Sequence, residues 1–186
     1  MPDGSDSGII TVIIERWGKM VILHEPALSE LWFRQAYLND PETMSYNHAW
    51  GGVIPFPREE WEGWYEHWLV RHEGRRFFRY LKDSETGSFL GEIAYHYDGS
   101  RAIWLADVIV KDEYRGRGFG TEGLRLLCEE AAKRGVDFLY DDIALDNPGI
   151  GIFLKAGFAE EYRTAEVIML KKDLGKATPP AEDEGR

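Results

Sequence analysis

One stretch constrains this chain more than any other, residues 108–123. The apolar run Val108-Ile109-Val110 passes through Lys111-Asp112-Glu113-Tyr114 into Arg115-Gly116-Arg117-Gly118-Phe119-Gly120-Thr121-Glu122-Gly123. Beyond it, Leu124, Leu127, Cys128 and Ala131 recur at i, i+3, i+4 and i+7, the period of an amphipathic helix. A strand, a glycine-rich loop and a helix therefore follow one another directly. Glycines at 116, 118 and 120 allow a tight turn and leave bare backbone N–H groups at the positive end of the helix dipole. Arg115 and Arg117 add full charges. This is how a phosphate cradle is built.

The chain around this stretch is long enough, at 186 residues, for one domain with an ordinary core. Apolar residues make up 44% of it, which argues for a folded globule. The net charge of −11 argues against nucleic acid or an anionic membrane as the main partner. A single cysteine, Cys128, rules out an intramolecular disulfide, and its place on the apolar helix face makes it a packing residue. No run of 18 apolar residues suggests a membrane span. Residues 1–8 lack the basic and apolar regions of a signal peptide, so a cytoplasmic protein is expected.

Three parts are expected: a loose tail over 1–8, a single domain over 9–172, and a Pro-containing acidic tail over 173–186. Within the domain, 9–15 and 19–23 read as strands, with a hairpin turn at 16–19. A helix starts at Pro26 with Leu28, Leu31 and Trp32 on its apolar face, and ends near Asn39-Asp40-Pro41. The loop over 43–57 carries Tyr46, His48 and Trp50, side chains that suit a binding element or a cover for the core. A second helix from Pro57 aligns Trp61, Trp64, Tyr65 and Trp68, most simply a core face. Strands follow at 77–82, 88–97 and 102–110, joined by turns at 83–87 and 98–100. After the helix at 118–134 come a strand at 136–145, a short helix opened by Asn147-Pro148, and a last hairpin over 158–171. The strand at 136–145 is expected to lie parallel to that at 102–110.

Gly118-x-Gly120-x-x-Gly123 formally matches a dinucleotide fingerprint, with Asp141 and Asp142 at the distance of a ribose ligand. Two facts oppose it. Seven residues separate the strand from the first glycine of that frame, and antiparallel hairpins precede it instead of a βαβ unit. A P-loop fails for want of Gly-Lys-Ser or Gly-Lys-Thr. The frame Arg115-Gly116-Arg117-Gly118-Phe119-Gly120 fits better. Following a strand and opening a helix, it resembles the acetyl-CoA loop of the GNAT N-acetyltransferase superfamily. Residues 147–158, which begin with Asn147 and close on Lys155-Ala156-Gly157-Phe158, resemble that superfamily's second motif. The resemblance spans about residues 19–172 and is best over 102–158.

The resemblance implies an α/β, GNAT-like fold. Its sheet would be largely antiparallel, with about seven strands, a parallel central pair splayed around the cofactor, and about four flanking helices. It implies that backbone N–H groups of Gly116, Arg117, Gly118, Phe119, Gly120 and Thr121 hold a pyrophosphate, with Arg115 nearby. Val108 and Val110 would pair through their main chain with the pantetheine arm of acetyl-CoA, as if it were an added strand. Asn147 would hydrogen-bond that arm. Phe153 occupies the position where many members carry the tyrosine that protonates the thiolate, so this chain lacks the usual acid.

The amine's base is open among three carboxylates. Asp107 leads because it lies among apolar neighbours, where an unpaired carboxylate is costly and needs a reason. Glu92 and Asp142 compete, and structural pairing is an equal reading for each. His48 and His96 are further candidates. No His or Cys pair has metal-ligand spacing. The expected activity is transfer of acetyl from acetyl-CoA, without a metal, to a small amine or a peptide N-terminus received by Tyr46, His48 and Trp50. The alternatives are an acyl-CoA sensor without turnover and, more remotely, a dinucleotide oxidoreductase. Exposed strand edges permit a homodimer.

Overall fold

The computed structural model describes residues 21–175. The strand expected at 9–15, the turn at 16–19 and the tail at 1–8 lie outside these residues, as does 176–186. Seven strands form one sheet in the order β1-β2-β3-β4-β5-β7-β6. They are β1 (Val21–His24), β2 (Arg76–Asp83), β3 (Phe89–Asp98), β4 (Ile103–Val110), β5 (Phe138–Ala144), β6 (Ala159–Arg163) and β7 (Val167–Asp173). All pairs are antiparallel except β4 with β5. The helices are α1 (Leu31–Leu38), α2 (Trp61–Tyr65), α3 (Phe119–Lys133) and α4 (Ile150–Lys155). The fold is the one the resemblance implied.

Strand alternation sorts side chains into two cores, one on each face of the sheet. Phe77, Leu81, Ile93, Tyr95, Ala106 and Val110 face α3 and α4, where Leu124, Leu127, Ala131 and Phe153 meet them. Gly123 is required here, because an added Cβ would come within 2.8 Å of a Leu81 methyl. Phe78, Tyr80, Ala94 and Ile109 face α1 and α2, meeting Leu31, Phe33, Tyr37 and Trp61. Trp64, Tyr65 and Trp68 pack on the same cluster, so the aromatic stripe of the second helix is a core face. Cys128 is buried.

Three local expectations need correction. The first helix opens with a 3-10 turn, Leu28–Glu30. Its tighter winding shifts the phase, so Leu28 and Trp32 are exposed and Leu31, Phe33, Tyr37 and Leu38 form the buried set. The loop expected at 43–57 begins as a 3-10 segment, Thr43–Trp50, with Thr43 and Met44 buried. Asp173 and Leu174, expected in the C-terminal tail, belong to the domain. β7 runs to Asp173, and Leu174 donates to the Asp137 carbonyl at 2.8 Å while packing on the α3-side core.

β4 and β5 share a single registered pair, Leu105 with Tyr140. Beyond it the strands diverge, whereas β5 and β7 stay in register along their whole length. The opening between β4 and β5 is what creates the site.

Candidate active site

A cleft of about 800 Å³ fills the opening. Asp107, Val108, Ile109 and Val110 of β4 form one wall and Asp141, Asp142 and Ile143 of β5 the other. The glycine loop and the start of α3 close one end, with Gly116, Gly118, Phe119, Gly120 and Thr121 on the lining. Gly118 is the N-cap of α3 at φ +88°, a left-handed conformation that glycine adopts without strain, and nothing lies within 4 Å of where its Cβ would be. Gly116 is also left-handed. The loop thus presents backbone to open space at a helix N-terminus, which fits a pyrophosphate. Asn147 Oδ1 accepts the Gly149 N–H at 2.7 Å, and its Nδ2 has no hydrogen-bond partner among the described residues. Phe153 is buried edge-to-face against Phe158 and reaches the cleft without a hydroxyl.

Residues expected at the site are brought together with two exceptions, Arg117 and the further candidate His96, which do not line the cleft. Tyr46, His48 and Trp50 line the cleft from the 3-10 segment, and Glu92, Asp107 and Asp142 from the sheet. Arg117 does not line it and lies over the Tyr114 ring instead. Arg115 lines it, but its guanidinium is turned inward. It donates to the carbonyls of Val110 and Glu42, both at 3.1 Å, and of Thr43. The Asp112 N–H donates to Thr43 Oγ1 at 3.0 Å. Across the cleft mouth, His48 Nε2 pairs with Asp146 at 2.9 Å. The 3-10 segment is therefore fastened to the glycine loop on one side and to the loop before α4 on the other.

The three candidate carboxylates have different surroundings. Glu92 is buried and ion-paired with Arg34, whose guanidinium also donates to the Tyr37 hydroxyl at 2.7 Å and lies 4.6 Å over the Trp64 ring. Burial pushes the Glu92 carboxyl above the usual range, with Arg34 opposing. Asp142 is bridged to Arg101 at 2.8 Å. Asp107 has no hydrogen-bonded partner among the described residues, and the Nδ1 of the His96 ring stands 3.9 Å from it, beyond hydrogen-bond reach. Its side chain is half open to the cleft, yet protein packs densely around that space. This enclosure pushes its pKa up to about 6, with Arg34 opposing and Asp142 assisting. Asp141 is raised as well, by enclosure first and then by Asp107 and Asp142. His96 is held below its ordinary value by burial, opposed by Asp98 and reinforced by Arg76 and Arg101.

Arg34 and Asp141 line the cleft and were not among the residues the sequence singled out for it. Arg34 sits on a helix read only for its apolar face, 58 positions from Glu92. Asp141 was in view as one of an acid pair, but only for the rejected dinucleotide frame. Strand period gives no signal for it, because the cleft runs along the open edge of β5, where Asp141 and Asp142 both line it.

Among the described residues no group of His, Cys, Asp or Glu is placed to hold a metal ion, and no helix is long and apolar enough to cross a membrane. Comparison with known proteins places the geometry. The family model for the acetyltransferase (GNAT) family matches residues 30–158. The uncharacterized N-acetyltransferase YobR of Bacillus subtilis (strain 168) is 29% identical over 96 residues, 51% of this chain. The chain spans only 38% of that relative's length. Among solved structures, an N-acetyltransferase from Staphylococcus aureus Mu50 superposes with a TM-score of 0.66 at 20% identity, covering 83% of this chain and 99% of the other. A spermidine N-acetyltransferase from Vibrio cholerae, in complex with CoA and spermine, gives 0.67 at 18% identity, covering 84% and 97%. With the family model matching more than half of its residues, the chain belongs to the GNAT family of acetyltransferases.

Proposed function

We propose that the protein transfers an acetyl group from acetyl-CoA to a primary amine by direct attack within the β4–β5 cleft. One observation carries the reading: an unpaired carboxyl, Asp107, stands on the cleft wall beside Val108 and Val110, with the glycine loop closing the end of the same space. Bound there, acetyl-CoA supplies a thioester carbonyl as the electrophile. The chain's part is to bind, orient and move protons. Loop N–H groups from Gly116 to Thr121 hold the pyrophosphate, the free Nδ2 of Asn147 meets the pantetheine, and the β4 main chain beside Val108 and Val110 aligns the arm.

An aliphatic amine arrives protonated at neutral pH, since such groups ordinarily lose their proton near pH ~10. The ionised Asp107 attracts the cation into the cleft. Asp107 takes its proton. With a pKa of about 6 it is ionised at pH 7 and is a better base than an ordinary aspartate. Glu92 stays with Arg34 and Asp142 with Arg101, so neither competes for that role.

Tyr46 is the one tyrosine on the cleft lining among the described residues. Burial first, then Asp107 and Asp141, raise its pKa, so its hydroxyl stays protonated and serves as a donor. It supplies toward the departing sulfur the hydrogen bond that Phe153 has no hydroxyl to give. Trp50 and Trp68 offer apolar surface for the rest of the acceptor, a small amine or a peptide N-terminus.

A panel of small amines and peptide N-termini tests this, with thiol release followed from acetyl-CoA. Turnover with at least one class is expected, and Tyr46→Phe should lower kcat about tenfold with little change in KM. Tight CoA binding with no thiol release for any acceptor would instead favour a cofactor sensor.

A further inference from the structure

A second, smaller cavity lies behind the acceptor wall of the cleft. Its volume is about 180 Å³, and Trp68 and Phe78 separate it from the active cleft, lining both. Its charge contrasts with the rest of the chain. Three guanidiniums, Arg76, Arg79 and Arg134, reach it from two elements, β2 and the C-terminal end of α3. His72 joins them from the turn before β2. The Gly74 N–H donates to His72 Nδ1 at 3.1 Å, which leaves the ring proton on Nε2 as a further donor. The net charge of the protein is −11, so four convergent donors of this kind call for an explanation.

Two of the three arginines have carboxylate partners, and one of these carboxylates, Glu25, itself lines the cavity. Glu25 pairs with Arg79 at 2.5 Å. Glu130 pairs with Arg134 and shares itself with Lys133 at 2.8 Å. Arg76 has no carboxylate partner among the described residues and rests 6.0 Å from the centroid of the Trp68 ring. Arg79 and Arg134 both lie near the Phe77 ring, 5.0 and 4.6 Å from its centroid, so two like charges share one aromatic side chain. The mutual effect is felt at Arg79, whose pKa is lowered by burial first and by Arg134 as well, with Glu25 opposing. Residues 76–79 of β2 also extend past the end of β1, which pairs only with 80–83. Among the described residues this leaves the cavity mouth uncovered by a neighbouring strand.

We propose that this cavity is a binding site for a phosphate group, separate from the glycine loop. Donors converge on it from a strand, a turn and a helix end, which suits a tetrahedral oxyanion. A planar carboxylate would be satisfied by a single arginine fork. At about 180 Å³ the cavity is far smaller than the active cleft and has room for a phosphate group. The shared chemistry is a phosphate, free or as the monoester of a small metabolite. Trp68 forms the wall between the two spaces, so an occupant presses on the acceptor cleft and is reported by that indole.

Titration calorimetry with inorganic phosphate and with glycerol phosphate tests this, on the full chain saturated with CoA to occupy the glycine loop. One site is expected, with a Kd of about 1 mM or tighter, accompanied by a tryptophan fluorescence change. Phosphate binding as tight as the ester's identifies the free ion, and binding of the ester alone identifies a monoester. Arg76→Gln, which breaks no ion pair, should weaken binding at least about fivefold, and Arg134→Gln should do the same. Three results would overturn the proposal: no binding of either phosphate compound to the CoA-loaded protein, binding unchanged by both substitutions, or tighter binding of succinate than of phosphate.

Discussion

The two halves of the cleft are built on different principles. The donor half, from β4 through the glycine loop to α3, β5 and α4, is nearly continuous in sequence and works through backbone. Its parts are a left-handed Gly118, a helix N-terminus and a strand left without a partner on one side. The acceptor half works through side chains brought from far apart. Arg34 meets Glu92 across 58 positions, Asp112 meets Thr43 across 69, and Arg115 meets Glu42 across 73. One half depends on where glycine permits the chain to go. The other depends on charges finding partners once the sheet has formed.

The largest expected effect falls on the acceptor half. Arg34→Leu leaves Glu92 buried without its counter-ion and should cost about 3–5 kcal/mol of stability at pH 7, read by urea denaturation. Replacing both residues, Arg34→Leu with Glu92→Leu, should recover most of the loss, because no uncompensated charge remains. A single variant as stable as the parent would mean that Glu92 does not depend on Arg34, and the contrast between the halves would weaken.

Next is Asp107→Asn, expected to lower kcat by about 10²–10⁴-fold while CoA affinity survives. In the parent protein the rate should rise with pH through about 6 as Asp107 ionises, and this limb should vanish in the variant. Stability should not fall. The folded pKa is raised, so the fold disfavours ionised Asp107 relative to the unfolded chain, and removing the charge relieves the protein at pH 7. Full activity across pH would remove Asp107 from the mechanism.

The contrast also explains what could be read from the sequence. The parallel pair, the glycine loop and the short helix after Asn147 were legible because residues 102–158 carry them in local patterns: apolar alternation and glycine spacing. Asp107 was legible because a carboxylate between Ala106 and Val108 violates the strand's own pattern. Arg34 violates nothing on a helix surface, and its role exists only after β3 delivers Glu92 beneath it. Arg115 was legible as part of the loop, but not in direction. No local rule says that its guanidinium turns from the cradle to hold Thr43.

For the donor half, Gly118→Glu forces a side chain into φ +88° and puts a carboxylate at the anion site. CoA affinity should fall about 100-fold, ~2.7 kcal/mol, measured by calorimetry. Stability should also fall, by about 1–2 kcal/mol, because φ +88° strains any side chain even where its atoms meet open space. Unchanged affinity would sink the cofactor assignment.

The smallest effect is the most informative, because it addresses the joint between the halves. Thr43 is buried and serves both sides. Its hydroxyl donates to Asp40 at 2.5 Å and accepts the Asp112 N–H, and its carbonyl accepts Arg115. Thr43→Val keeps the shape, removes the hydroxyl and leaves the Asp112 N–H without that acceptor, at a cost of about 1–2 kcal/mol. If the halves are joined here, the effect reaches past stability. The acceptor KM should rise about three- to tenfold as Tyr46 and its neighbours loosen, and CoA affinity should fall by less, since the glycine loop keeps Arg115 on Val110. A variant that loses stability but keeps both constants would show that the clamp is only structural. The 3-10 segment would then hold its position through Met44, Arg115 and the His48–Asp146 pair, and the two halves would be neighbours without being coupled.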